Sequence, residues 1–303
     1  MHKVTKEISI VVPSRGRPDK LLIMMNSALD CASSPELIEF VLYIDNDETS
    51  DYEIFNDKAI IIKGERAHMG EMFRRCIYKS NGRTIVICND DVVVSTKKWD
   101  DIIYENLKLY TDNIFLLYPN DLNKGSELCT FPIFSKELFL QFPEILPKDL
   151  TLIDLHLRDL FFQLKGLGIN RIKYLHNIVF EHLHYTLGKS SLDKTYSDRH
   201  RFSNDDLFVQ YADLRFNLSS FIAFNINRKS LPKQIFNTKD MVPKMTSMRF
   251  FKENTMMLFS SNAPLLYRFK LWLYMNARRT YNIFIYRFQA QLMKNSLSKE
   301  RKL

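Results

Sequence analysis

The feature that most constrains this chain is its opening pattern. An uninterrupted β-branched run, ISIVVP over residues 8–13, is followed at once by an amphipathic helical stretch. A run without a polar face predicts a strand buried on both sides. The helix is predicted from Pro18 to about Asp30, with Pro18 in its first turn and Leu21, Leu22, Met25, Ala28 and Leu29 along one face. The pattern then recurs. Phe40–Asp45, Ala59–Ile62 and Thr84–Cys88 read as strands, and Met69–Lys79 as a helix. Ile114–Tyr118 and Thr130–Phe134 are further strand candidates, and residues 171–182 leave room for one or two more. Thr151–Lys165 is a second strong helix, closing near Gly166. Strands alternating with helices imply right-handed crossovers, hence an α/β fold with a mainly parallel sheet flanked by helices. Residues 186–200 are polar and aperiodic and read as a loop. From Asn204 onward the pattern is mostly helical, which predicts a helical C-terminal extension. The expected division is 1–225 and 226–303, with a soft boundary around Pro232 and Pro243.

Composition narrows the class. At 303 residues and 46% hydrophobic, the chain supports a sizeable core. No 18-residue stretch is free of charge, so no transmembrane helix is expected, and the N-terminus lacks the pattern of a signal peptide. Cys31, Cys76, Cys88 and Cys129 are widely spaced and contain no CxxC pair. They read as reduced thiols in a cytoplasmic protein rather than as a zinc site. The net charge of +8 is uneven: residues 245–303 carry eleven Lys/Arg against two Glu, so the remainder is near neutral. A basic-surface explanation is needed for the C-terminal segment alone.

Ligands of open α/β sheets bind at the carboxyl ends of the strands. Three such ends are polar here: Pro13-Ser14-Arg15-Gly16-Arg17-Pro18, Asp45-Asn46-Asp47 and Asn89-Asp90-Asp91. Each alone is an ordinary solvated loop, but together and in this order they frame one crevice. Adjacent carboxylates repel unless a cation sits near them. A divalent ion that also binds substrate phosphates would relieve Asp90 and Asp91.

The order ISIVVPSRGRP, YIDND, GERAHMGEMFRRC and IVICNDDVVV resembles the GT-A glycosyltransferases, especially the inverting family-two group. The resemblance runs over about residues 7–200 and implies a GT-A-type, nucleotide-binding sheet. It implies a nucleotide-sugar donor, with Pro13, Ser14 and Arg15 lining the nucleotide pocket and Asp45 reading the base or ribose. It sets Arg66 toward the donor. Asp91 takes the metal-ligating position of a DxD-like motif, with Asp90 secondary and Asn89 a departure at the first position. CTFPIFSKELF resembles the strand and helix that shape the sugar and acceptor pocket. LIDLHLRDLFFQLKGLG resembles the segment carrying the catalytic base. Asp154 matches that base, and Ile153 replaces the usual preceding Glu. The plain alternative for Asp154 is a helix-start carboxylate. His182 and His184 share a face if extended, and the family often completes its Mn²⁺ or Mg²⁺ shell with a late His. Lys189 would offset diphosphate charge from a closing loop.

The function expected is metal-dependent transfer of a sugar to an acceptor hydroxyl, with inversion. The acceptor is a cell-surface glycan or a lipid-linked precursor, or alternatively a modified nucleic-acid base. Nucleotidyl transfer ranks lower, because PSRGRP lacks the glycines of GxGxRxxP. A non-catalytic binding protein on a degenerate transferase fold is the other class. For residues 265–293, with apolar positions Leu265, Phe269, Trp272, Leu273, Ile283, Phe284 and Phe288, three readings stay open. They are a helix packed on the catalytic domain, an interfacial helix at the inner face of an anionic membrane, and a nucleic-acid contact.

Overall fold

The computed structural model describes residues 5–184, 188–189, 202, 204–226 and 244–286. Its strands are β1 (Ile8–Ser14), β2 (Ile38–Asp45), β3 (Ala59–Gly64), β4 (Thr84–Ile87), β5 (Val92–Val94), β6 (Leu116–Asn120), β7 (Ile133–Ser135) and β8 (Ile172–His182). They form one sheet in the order β3-β2-β1-β4-β7-β6-β8-β5. Four of its seven described pairings are parallel, and the antiparallel ones involve β7 and β5. The α/β class and the mainly parallel, helix-flanked sheet expected from the sequence are both present. So are the C-terminal helices.

Five helices precede residue 170: α1 (Pro18–Asp30), α2 (Met69–Lys79), α3 (Trp99–Leu107), α4 (Lys136–Gln141) and α5 (Ile153–Gly166). The predicted bounds of α1 and α2 hold at both ends. Residues 171–182 make one strand that changes partner. Its first half runs parallel to β6 and its second half antiparallel to β5, with an irregularity in register at Pro119/Asn120.

The uninterrupted run of β1 is buried on both faces. Val11 joins Val41 and Tyr43 of β2, Phe73 and Ile77 of α2, and Leu160 and Phe161 of α5. Ile10 and Val12 point the other way, toward Leu21 and Met25 of α1 and Trp99 of α3. Such double burial leaves the strand ends as the places where polar side chains meet solvent.

Among the described residues four more α-helices follow: α6 (Asp205–Gln210), α7 (Ala212–Ile226), α8 (Ser247–Ser260) and α9 (Leu265–Tyr281). They extend the core on the α2–α5 side, where Phe250, Met257, Tyr267, Leu271 and Met275 are all buried. Phe162 of α5 stacks on Tyr267 with ring centres 4.0 Å apart. Arg278 makes a forked bond to Asp205, and Arg279 pairs with Asp206 at 2.8 Å. These two cations of the basic segment are therefore bound inside the fold.

At Gly166 the end of α5 meets the turn between α8 and α9 so closely that a Cβ would run into the Asn262 carbonyl. Backbone cannot swing aside as a flexible side chain can. Gly166→Ala should cost about 1–3 kcal/mol of stability by overpacking. Urea unfolding reads this as a lower midpoint with an unchanged slope. An unaltered midpoint would mean that the helices separate freely there.

Candidate active site at the strand ends

β1, β2 and β4 are parallel and adjacent, so their carboxyl ends open on one edge. The turn after β1 organises that edge. Gly16 adopts a left-handed φ of 66°, which a side chain disfavours, and it directs its two neighbouring arginines to different partners. Arg15 reaches across β2, bonding Asp45 Oδ2 at 2.7 Å and Asp47 Oδ1 at 2.5 Å. Those bonds hold the Arg15 guanidinium firmly charged, and the bond from Arg15 lowers the Asp47 carboxyl. Arg17 turns inward. Its Nη1 lies 3.2 Å from Asp90 Oδ1 and 3.7 Å from Asp91 Oδ2, and all three side chains are buried.

The acidic pair thus has a protein cation of its own. Ser14 donates to Asp90 Oδ2 at 2.8 Å. With that proton committed, the Tyr52 hydroxyl donates to Ser14 Oγ, also at 2.8 Å. Burial pushes the Asp90 carboxyl up to about 6; Arg17 opposes the shift and Asp91 reinforces it. Removing Arg17 would strand two neighbouring buried carboxylates. Arg17→Met should destabilise by about 3–5 kcal/mol, as for one partner lost from a buried pair. Calorimetric unfolding tests this, and a melting temperature equal to wild type would show that the pair needs no counter-ion.

Asp91 and His182 meet because of strand register. β5 begins immediately after Asp91, and its Val92 lies opposite His182 at the end of β8. The Leu183 amide then donates to the Asp91 carbonyl at 2.9 Å, and His182 Nε2 comes within 3.3 Å of Asp91 Oδ1. The His184 ring stands edge-on to His182, centres 5.2 Å apart. The predicted histidines therefore do come together beside the predicted acidic pair.

Two cis ligands of one ion, with bonds of about 2.0–2.2 Å, sit roughly 3 Å apart. Asp91 and His182 have that spacing; the carboxylate suits Mn²⁺ or Mg²⁺, and of the two the imidazole suits Mn²⁺ better. Among the described residues no group of three or more His, Cys, Asp or Glu is placed to hold a metal ion, so the protein would offer this pair alone. The remaining positions would fall to water and substrate phosphate, the usual habit of Mg²⁺.

The other predicted residues sit as follows. Pro13 is half-buried in β1, opposite Tyr43. Asp45 is buried, and its Oδ1 has no hydrogen-bond partner among the described residues. Beside it a cleft of about 350 Å³ is lined by Asp45, Asn46, Glu48, Ser50, Tyr52 and Lys63. Arg66 is exposed beyond β3, close enough to Asp47 to act on its charge. Lys189 bonds Glu181 at 2.8 Å. Apart from Gly188 and Lys189, the 186–200 loop lies outside the described residues.

Asp154 is half-buried in the first turn of α5, where one carboxylate oxygen accepts from the Leu155 amide at 2.8 Å. Its carbonyl accepts from Cys129 Sγ at 2.8 Å, and Phe131 packs edge-on to His182 with ring centres 5.4 Å apart. The short segment 129–131 therefore links the start of α5 to the histidine. It is anchored by Asp121, which accepts from Thr130 and caps the turn at Asn123, Lys124 and Gly125.

Sequence reasoning assigned no role to Arg17, Tyr52 or Asp121. Arg17 had a signal: paired buried carboxylates require a cation, and it lies in the neighbouring loop. Tyr52 had none, its contact with Ser14 spanning 38 residues, whereas Asp121 had a local one, an Asp heading the Asp-Leu-Asn-Lys-Gly turn whose amides it accepts.

No protein-family model matches the chain, and no curated protein matches it. Distant likenesses exist among solved structures. Residues 1–349 of TarS from S. aureus, in complex with UDP, share 12% identity over 84% of this chain and 80% of that one, with a TM-score of 0.48. A longer TarS structure shares 11%, at a TM-score of 0.45, over 72% of this chain, which spans only 43% of its length. Glucosyl-3-phosphoglycerate synthase from Mycobacterium tuberculosis, in complex with Mn²⁺ and UDP-glucose, shares 19% over 60% of this chain and 74% of that one, with a TM-score of 0.44. Likeness this distant leaves function to the chain's own residues.

Proposed function

We propose that the chain is a glycosyltransferase that moves a sugar from a nucleoside-diphosphate donor to an acceptor hydroxyl. The observation that carries this reading is the convergence at one sheet edge. Asp91 and His182 stand 3.3 Å apart, and the unsatisfied buried Asp45 oxygen adjoins a cleft two strands away. A buried carboxylate with a spare acceptor suits a base or ribose that offers N–H or O–H donors. Arg15 holds that carboxylate in place.

Asp91 and His182 would hold Mn²⁺ or Mg²⁺, which when bound neutralises charge on the departing diphosphate. Arg17 adds a fixed positive charge behind the acidic pair. Asp154 takes the proton of the attacking hydroxyl, giving inversion in a single displacement. The motif order supports this assignment, as does the link through residues 129–131.

Arg17 also favours a second reading. Since it already sets one buried cation beside Asp90 and Asp91, the edge would be partly neutralised without metal, as a non-catalytic binding fold would require. A panel of nucleotide sugars incubated with Mn²⁺, Mg²⁺ or chelator separates the two. Metal-dependent release of a nucleoside diphosphate from one donor is the expected result. Absence of release from every donor in either metal would leave the binding fold.

A further inference from the structure

The C-terminal helices present an outward face that the fold does not use. α8 and α9 form an antiparallel hairpin, held by Asn254 bonding the Trp272 carbonyl and by Arg268 bonding the Leu258 and Ser261 carbonyls. Their inward positions are Phe250, Asn254 and Met257 on α8, and Tyr267, Leu271 and Met275 on α9. On α8 the opposite side carries Met248, Lys252, Met256 and Phe259, spaced four, four and three residues apart. On α9 and just beyond, it carries Leu266, Phe269, Leu273 and Phe284. Met248 is 85% exposed, Phe259 77%, Leu266 69% and Phe284 71%. Two adjacent helices thus show one apolar strip, far more than scattered surface leucines.

The charge around that strip is predominantly positive. Residues 244–286 contain seven Lys/Arg and a single acid, Glu253. Arg278 and Arg279 are bound to Asp205 and Asp206, and Arg249 pairs with Glu253, while Lys244, Lys252 and Lys270 are exposed. A second copy of the chain would bring like charges together across the contact. An anionic lipid surface complements both features, because apolar side chains enter the acyl boundary while lysine stems lie along it and their ammonium groups meet headgroups. No helix among the described residues is long and apolar enough to cross a bilayer. The contact is therefore one of lying on the membrane. We propose that the outer face of the α8–α9 hairpin docks this protein on an anionic bilayer surface.

Vesicle flotation of the full chain tests the proposal, using phosphatidylcholine alone and phosphatidylcholine with added phosphatidylserine, each at low and high salt. Wild type should float with the anionic vesicles at low salt and stay down with the neutral ones. Leu266→Glu with Leu273→Glu should abolish flotation without lowering the unfolding midpoint, since both side chains are exposed. Lys252→Glu with Lys270→Glu, which leaves the apolar strip whole, should weaken binding at low salt by about ten-fold or more, given roughly one tenfold step for each one or two surface charges. The proposal fails if wild type does not float with anionic vesicles, or if both double variants float as well as wild type. It also fails if light scattering finds a dimer that the Leu266/Leu273 variant dissolves. Duplex DNA binding that needs the two lysines but not the two leucines, without flotation, would overturn it as well.

Discussion

Asp91→Asn should abolish metal-dependent nucleoside diphosphate binding while leaving the protein at least as stable as wild type. On the proposed assignment, loss of the anionic oxygen next to His182 would remove one of the two protein ligands, and with it several kcal/mol of charge stabilisation at the departing diphosphate. Transfer should fall on the order of 10³-fold or more, which corresponds to about 4 kcal/mol. Stability should move the other way. Asp91 sits beside buried Asp90 and reinforces the upward shift of its carboxyl, so the native state pays for their proximity. Arg17 lies 3.2 Å from Asp90 and would remain paired after the substitution. An amide of the same shape relieves that repulsion. Titration calorimetry with the diphosphate and Mn²⁺, together with a melting curve, reads both effects. A drop in melting temperature with undiminished binding would make Asp91 a structural residue and end the metal assignment. Gain of stability upon loss of function is the mark of a group kept for its chemistry.

The sequence was most informative where burial alone decides structure. β1 is legible because a strand covered on both faces has no polar position, and α1 because Pro18 fixes its first turn. The three polar strand ends were legible for the same reason, since only there do parallel strands offer polar side chains to a ligand. β5 was not legible: it has three residues, and it exists as a strand because β8 pairs with it from almost ninety positions away. α3 was missed as well, its Trp99 buried against Phe180 of that same β8. The approach of His182 to Asp91 depends on the register of that pairing, so sequence could name both residues but not their contact. Arg17 pairs across a separation of 73 residues and was read only as part of a loop.

The C-terminal helix illustrates a different limit. Its apolar positions recur on more than one side, so periodicity cannot say which side faces inward. Of the apolar positions that the sequence offers here, Leu265, Phe269 and Leu273 are exposed in the fold, while Tyr267, Leu271 and Met275 fill the core. Phe288 lies outside the described residues. Arg278 and Arg279, which read as part of a basic surface, are bound by two acids of α6.

Asp154→Asn should separate catalysis from architecture. The carboxylate stands in the first turn of α5, where helix amides and the macrodipole favour negative charge. If that is all it does, an amide costs about 0.3–1 kcal/mol of stability, and turnover is untouched. If it removes the acceptor proton, kcat should fall by about 10²–10⁴-fold, with donor KM and diphosphate affinity unchanged. The substitution keeps shape, and the remaining carbonyl oxygen can still accept from the Leu155 amide, so the start of the helix should hold. The link through Cys129 involves the Asp154 backbone carbonyl, which the change leaves in place. Donor hydrolysis supplies the internal control. Water is small enough to reach the anomeric carbon without the acceptor's geometry, so slow hydrolysis should survive in Asp154→Asn but not in Asp91→Asn. Steady-state transfer and hydrolysis, measured side by side on both variants, give the test. Near-wild-type transfer at saturating substrates would return Asp154 to the role of a helix-start carboxylate. Equal loss of hydrolysis and transfer would instead place it on the donor, beside the diphosphate rather than the acceptor.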